Sequence, residues 1–152
     1  MKKLFLIGIL VLMIASMAIP TAVQASPRND FFAEKICPSA DNPNACDIQN
    51  AAPPFTQLNG GQIIYTDRVY WENPAAHLFE IAKVEIKTGD GSGSAMGQVR
   101  WIGDYGLLTI MQGTGSLAGL HANAKIEFKD VAGDGRWVFT WIGTFHVNPS
   151  EK

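Results

Sequence analysis

The chain has 152 residues, of which 47% are apolar and 17% charged, and its formal net charge is −2. Without Lys2 and Lys3, which begin an apolar leader, 10 basic and 14 acidic side chains remain, and a mildly acidic chain with no basic cluster is a poor binder of nucleic acid or anionic membranes. The length allows one ordinary domain with its own core, and 15 glycines disfavour a long helical bundle.

Residues 1–25 have the pattern of a signal peptide. Lys2 and Lys3 precede a long apolar run that Pro20 ends, and small residues lead up to a cleavage site after Ala25. A retained anchor is the alternative, because the run approaches the roughly 20 apolar residues of a membrane-spanning helix. We expect cleavage and an exported protein, periplasmic or secreted, without membrane contact once the leader is removed.

Cys37 and Cys46 are the only cysteines of the chain. In an oxidising compartment an even pair at this spacing predicts a disulfide. A redox pair or a metal site is the alternative, but redox chemistry usually needs C-x-x-C, and two cysteines without a nearby histidine do not complete a zinc site.

Residues 26–58 differ in composition from the rest, being rich in Pro, Asn, Ala and Asp. Asp30 is placed to cap a short helical turn over residues 31–35. We therefore expect an N-terminal extension, held by the disulfide and lying across a main domain of residues 59–152.

From Gln62 onward the chain has the signals of β-strands, with β-branched and aromatic residues between Gly, Asn and Asp breaks. No helical period separates the runs, which favours an antiparallel sheet that closes into a barrel or folds into a sandwich. Six runs qualify: Gln62–Glu72, Leu78–Lys87, Ala95–Ile102, Tyr105–Gln112, Leu117–Phe128 and Arg136–Val147.

The most specific stretch reads GTGSLAGLHA over residues 113–122. Gly113 and Gly115 permit a sharp bend or bulge, and Gly119 permits a close backbone approach. Thr114 and Leu117 complete the pattern, Leu117 as a packing residue. This stretch resembles the G-T-G-x-(F/L)-x-G-x-x-G signature of the allene oxide cyclase-like and dirigent-type β-barrels, and it is most similar to their small bacterial members.

That resemblance implies an all-β protein, an antiparallel closed barrel of about eight strands with a mainly apolar cavity. Members often form oligomers, so a homo-oligomer is expected. Since six runs are found, two more strands are expected from splitting the long runs or from residues 53–61. The family's catalytic residues are not carried over, because no local motif here matches them.

Glu80 and Arg100 are weak candidates for a catalytic pair. In a continuous register Glu80 shares a face with Ala82 and Val84, and a carboxylate in an apolar cavity can act as a general acid or base. It is alternatively an ion-pair partner of Arg100 inside the barrel. A bulge near Ala82 or Lys83 would instead expose Glu80, and Arg100 can equally be solvated.

Six aromatic side chains are candidates for lining a ligand pocket, with simple core filling as the alternative. They are Tyr65, Trp71, Trp101, Tyr105, Trp137 and Trp141. No phosphate loop or metal-ligand spacing occurs, so we expect no cofactor and no metal.

Three functions are compatible with these features. The leading hypothesis is a barrel that binds or shelters a small apolar molecule. The second is a cyclase or isomerase that works largely by controlling substrate shape. The third is a non-catalytic interaction protein of the cell envelope. Whether the protein is an enzyme stays open.

Overall fold

The computed structural model describes residues 29–38, 43–73 and 77–149. Eight antiparallel strands close into a barrel in chain order, with the first strand paired to both the second and the last. This confirms the predicted closed barrel.

The predicted signal peptide, residues 1–25, lies outside the described residues. Within the described ranges no helix is long and apolar enough to span a membrane. The strands are β1 Asn29–Cys37, β2 Ala45–Gln49, β3 Gln62–Asn73, β4 His77–Lys87, β5 Gly93–Ile102, β6 Tyr105–Gly115, β7 Leu120–Val131 and β8 Trp137–Val147.

The six predicted runs correspond to β3 through β8. Runs of β-branched and aromatic residues between Gly, Asn and Asp breaks identified them, and their apolar faces point into the barrel, as in β7, where Ala122, Ala124 and Ile126 are buried. The largest differences are three residues each, at the end of β6 and at both ends of β7. The start of β7 is an example. It begins at Leu120 rather than Leu117, because residues 116–119 form the turn after β6.

The prediction that residues 26–58 form an extension lying across the main domain is wrong, since residues 29–37 and 45–49 are two strands of the barrel itself. The helical turn capped by Asp30 is also wrong, because those residues belong to β1. The strand character of residues 29–37 is not visible in the sequence because β1 is buried on both faces. Glu34 and Ile36 are buried on one face and Lys35 on the other, so polarity does not alternate along the strand.

The predicted disulfide is confirmed between Cys37, at the end of β1, and Cys46, at the start of β2. Both residues are buried, and their Cα atoms are 4.4 Å apart. The bond therefore ties the first hairpin of the barrel together beside the connection between its strands.

One end of the barrel is closed by the connection from β2 to β3. Its short 3₁₀ helix, Thr56–Leu58, buries Leu58, and Phe55 just before it is buried as well. The Phe55 ring packs 5.4 Å from that of Phe31 and 4.5 Å from that of Phe145, centroid to centroid. This plug leaves the opposite end, at the β5–β6 turn, as the open one.

The glycine-rich stretch forms the end of β6 and the turn into β7. Gly115 and Gly119 have positive φ angles of 58° and 72°, which glycine adopts without a Cβ clash. A Cβ on Gly113 would lie 1.8 Å from the Leu117 carbonyl oxygen. Leu117 is buried in the core, as expected, so this stretch has a structural role at the closed end.

A β-bulge in β3 shapes the interior. Thr66 pairs with Lys83 and Val69 with Ile81, so β3 has one residue more than β4 in this interval. Asp67 has a positive φ of 46° within the bulge. The extra residue reverses the inward and outward faces of β3, and Arg68 is thereby turned toward the interior with its side chain only 13% exposed.

Candidate functional site

A cavity of about 720 Å³ occupies the open half of the barrel. It reaches from the interior to the β5–β6 turn at residues 103–104 and to Pro43 in the β1–β2 connection. The disulfide forms part of its wall, and β1, β3, β4, β5, β7 and β8 contribute the remaining side chains. The interior side chains that line it are Lys35, Tyr65, Arg68, Glu80, Trp101, Phe128, Trp137 and Phe139.

Lys35 lies on the inner face of β1, between Ile48 of β2 and Phe139 of β8 in the register. It is only 2% exposed. Its Nζ is 2.5 Å from the Tyr65 hydroxyl. The ring centroids of Phe139, Tyr65 and Trp101 lie 4.7, 5.0 and 5.2 Å from Nζ, within the range of cation–π contact. The ammonium group is therefore held among aromatic faces rather than in water.

Arg68 and Glu80 form an ion pair next to this amine. Arg68 Nη1 is 3.4 Å from Glu80 Oε1 and 3.2 Å from the Tyr70 hydroxyl, to which it donates. Its Nη2 donates to the Pro43 carbonyl. The Arg68 guanidinium lies 4.6 Å from the centroid of the Tyr65 ring. The four side chains Lys35, Tyr65, Arg68 and Glu80 thus make one continuous cluster.

Burial shifts the proton affinities in this cluster. Loss of solvation lowers the pKa of Lys35 to about 7, with Glu80 opposing the change and Arg68 adding to it. The same loss of solvation raises the pKa of Glu80, against the effects of Arg68 and Lys35. It also raises the pKa of the Tyr65 hydroxyl. Near neutral pH the cluster can therefore present Lys35 as an uncharged amine, while burial raises the pKa of the Glu80 carboxyl group.

Buried polar atoms without hydrogen-bond partners concentrate in the same cluster. Among the described residues, three such atoms occur, and two of them are Arg68 Nε and Glu80 Oε1. The third is the indole nitrogen of Trp141. An unsatisfied buried polar atom costs roughly 1–3 kcal/mol, and such atoms are uncommon except where function requires them.

The aromatic candidates divide into three groups. Tyr65, Trp101 and Trp137 line the cavity. Trp141 is fully buried in the core, stacked at 6.3 Å on Phe31. Trp71 and Tyr105 are outside the cavity, 50% and 36% exposed respectively.

The structure separates the two catalytic candidates. Glu80 is 5% exposed and faces the cavity, as a continuous β4 register requires. The alternative of a bulge near Ala82 or Lys83, which would expose Glu80, is wrong. The bulge lies in β3, where it turns Arg68 toward the interior. Arg100 is exposed on the outer face of β5, so the predicted Glu80–Arg100 pair is wrong and Arg68 takes that place.

Sequence analysis missed Lys35 and Arg68. Lys35 alternates with the buried Ala33 and Cys37, a period of two that is visible once the segment is considered as a strand. Arg68 has no comparable signal, because its inward direction depends on the bulge at Asp67.

In the part of the chain that the structure describes, no three His, Cys, Asp or Glu side chains come close enough to hold a metal ion. His121 and His146 face each other across β7 and β8, with rings stacked at 5.0 Å. They lie away from the cavity lining.

A scan against models of known protein families finds no match to this chain, and a search of curated proteins finds no significant relative. The classification therefore follows from geometry: the chain is a closed, eight-stranded antiparallel β-barrel with an aromatic cavity and a buried polar cluster.

Proposed function

We propose that the protein binds a small organic molecule in the open half of the barrel. The molecule has an apolar body about as large as an aromatic ring system and at least one polar group. The cavity of about 720 Å³ falls within the range of roughly 300–1,000 Å³ typical of small-molecule sites. This refines the expectation of a purely apolar ligand, because the floor of the cavity is polar.

The observation that carries the proposal is the polar cluster inside an aromatic wall. Trp101 and Phe139 pack edge to face at 5.7 Å, and Phe128 packs on Phe139 in the same way at 5.8 Å. This wall suits an apolar ring. Arg68 and Glu80 line the cavity at its base, and Arg68 Nε and Glu80 Oε1 have no hydrogen-bond partner among the described residues.

If it has no binding role, the polar cluster is an energetically unfavourable way to fill a barrel. Burying ionic groups is often less favourable than filling the same volume with apolar side chains. The opposite end of this barrel is filled with apolar side chains, those of Phe55 and Leu58. The contrast between the two ends supports a binding role for the polar one.

Membership in the allene oxide cyclase-like and dirigent-type superfamily is part of this proposal. The glycine-rich stretch supports it at the level of sequence, and the apolar cavity that the resemblance implies agrees with the wall described above. The disulfide supports the expectation that the protein is exported to an oxidising compartment.

The four tryptophans provide a direct test by NMR of the indole N–H signals. On titration with 2-naphthalenemethanol, which has an aromatic body and one hydroxyl group, the signals of Trp101 and Trp137 should shift. The Trp71 signal is the internal control and should stay in place, since Trp71 is outside the cavity. Unchanged Trp101 and Trp137 signals up to the solubility limit would contradict the proposal.

A cyclase or isomerase is a second candidate, favoured by the position of Glu80. A buried carboxyl group with a raised pKa on a cavity wall is suited to removing and returning a proton. We expect the protein to accelerate deuterium exchange at the α-carbon of 2-acetonaphthone. Glu80→Gln should lower that rate by about 10²-fold or more, and Arg100→Gln, on the outer face, should leave it unchanged. Equal rates for wild type and Glu80→Gln would exclude this candidate.

A further inference from the structure

Lys35 is the buried group that neither binding nor proton transfer by Glu80 explains. It extends from β1 into the interior, where side chains of four other strands face its amine. Tyr65 and Arg68 face it from β3, Glu80 from β4, Trp101 from β5 and Phe139 from β8. Its hydrogen-bond partner is a phenol, the Tyr65 hydroxyl. A structural lysine is more often paired with a carboxylate or extended into solvent.

The position of this amine is that of a nucleophile. It lines the cavity together with Tyr65 and Glu80, so a molecule held against the aromatic wall lies next to it. The aromatic faces keep water away from the amine. A desolvated lysine near another cationic group is the arrangement that activates amines for attack on carbonyl carbon, and Arg68 supplies that cation here.

We propose that Lys35 forms an imine with the carbonyl carbon of a small aromatic or otherwise apolar aldehyde or ketone bound in the barrel. This rests on the proposed binding function and names the chemical class of ligand. The uncharged amine that the reaction needs is available near neutral pH, because the pKa of Lys35 is lowered to about 7.

The chemistry balances without any oxidant or reductant. The lone pair of Nζ attacks the carbonyl carbon and forms a C–N bond, while the π electrons of C=O move to oxygen. That oxygen gains a proton and the nitrogen loses one, which gives a carbinolamine. A proton from the Glu80 carboxyl group then converts the hydroxyl into a leaving water, the C–O bond breaks and C=N forms as an iminium ion. The nitrogen proton of that iminium returns to the Glu80 carboxylate, which restores the carboxyl group. Amine and carbonyl thus become imine and one water, and Tyr65 positions Nζ throughout.

The test uses 2-naphthaldehyde and sodium cyanoborohydride, which delivers hydride to the imine carbon and fixes the adduct as a secondary amine. After reaction of the full protein at pH 7, peptide mapping measures labelling at each lysine. Lys35 should be labelled at least ~10-fold faster than the exposed Lys87, because far more of its amine is uncharged. Its labelling rate should rise with a midpoint near the pKa of about 7.

Variants separate a reactive lysine from a general one. Lys35→Met should remove the fast adduct, and Lys87→Met should leave it unchanged. Tyr65→Phe should retain labelling at Lys35 but slow it, because the amine loses its positioning partner. Labelling of surface lysines with Lys35 unmodified, or an unchanged fast phase in Lys35→Met, would overturn the proposal.

The matched alcohol, 2-naphthalenemethanol, distinguishes this inference from the proposed function. If the alcohol shifts the Trp101 signal and the aldehyde leaves Lys35 unlabelled, the imine is wrong and binding stands. If neither compound reaches the cavity, both proposals fail. Binding of the alcohol together with labelling of Lys35 by the aldehyde supports both.

Discussion

Lys35 Nζ and the Tyr65 hydroxyl lie 2.5 Å apart inside the barrel, on strands that are not neighbours. The contact crosses the interior from β1 to β3, over the short strand β2. Both side chains are almost completely buried. This hydrogen bond joins the first strand to the Arg68–Glu80 pair and makes a reactive amine part of the cavity wall.

Lys35→Met should stabilise the protein at mildly acidic pH. Burial lowers the folded-state pKa of Lys35 from 10.5 to about 7, so between these pH values the unfolded chain holds a proton that the folded protein has released. The penalty for the buried charge is fully present below pH 7 and declines as the pH rises toward 10.5. The variant should therefore exceed wild type by about 1–4 kcal/mol at pH 6, less about 1 kcal/mol for the lost Tyr65 hydrogen bond.

Urea denaturation at pH 6 and pH 9 measures this difference. The advantage of Lys35→Met should shrink at pH 9, because the wild-type amine is then neutral in the folded state. A constant advantage at both pH values, or a less stable variant at pH 6, would show that the amine is not desolvated as described.

Glu34→Ala should destabilise the barrel from its outer side. Glu34 is 4% exposed and accepts hydrogen bonds from Asn50 Nδ2 at 2.7 Å and Lys129 Nζ at 2.5 Å. Removing it loses two hydrogen bonds to a buried carboxylate, at a cost of about 1–3 kcal/mol. Glu127→Ala is the matched control, since Glu127 and Lys125 form an ion pair with both side chains about half exposed, and such pairs contribute about 0–1 kcal/mol.

The Glu34 effect should also depend on pH. The hydrogen bond from Lys129 is the main reason that the pKa of Glu34 is lowered in the folded protein. The stability it contributes is therefore present above the unfolded pKa of 4.5 and is lost as the pH falls through the lower folded value. Chemical denaturation should show the gap between wild type and Glu34→Ala closing in acid. A gap that persists unchanged at low pH would refute the assigned contacts.

Removing the disulfide should destabilise the protein by roughly 2.5–3 kcal/mol, since Cys37 and Cys46 close a short loop whose freedom in the unfolded chain is restricted. The double variant Cys37→Ala/Cys46→Ala should match reduced wild type in urea unfolding. Reductant should have no effect on the double variant. If oxidised wild type is no more stable than the double variant, the disulfide does not stabilise the fold and the prediction is wrong.

Gly113→Ala tests the glycine-rich stretch as a determinant of the fold. A Cβ at Gly113 would lie 1.8 Å from the Leu117 carbonyl oxygen, whereas one at Gly133 meets nothing within 4 Å. Gly113→Ala should therefore cost more than about 2 kcal/mol, and Gly133→Ala should stay within about 0.5 kcal/mol. Similar melting temperatures for the two variants would contradict the assigned role.

The pattern of β-branched and aromatic runs between Gly, Asn and Asp breaks was sufficient to identify β3 to β8. It failed for β1, where Glu34 is buried against Lys129 and Lys35 is buried against Tyr65. Both contacts join residues far apart in the sequence, so no local pattern reveals them.

The candidate site was predictable to about the same extent. Six aromatic residues were candidates for the pocket, with core filling as the alternative, and three of them, Tyr65, Trp101 and Trp137, line the cavity. The Glu80 partner was not predicted, because the bulge at Asp67 reverses the faces of β3 and turns Arg68 inward. Arg100 faces outward, since it alternates with the buried Val99 on β5.

Native mass spectrometry of the protein purified from its own host tests the central claim, that the open half of the barrel is a ligand site. Wild type should carry a small molecule that denaturation releases. The double variant Arg68→Met/Glu80→Leu, which removes both charges together, should lose it, and Arg100→Met on the outer face should retain it. Wild-type protein at its bare mass, or equal occupancy in all three proteins, would contradict the account.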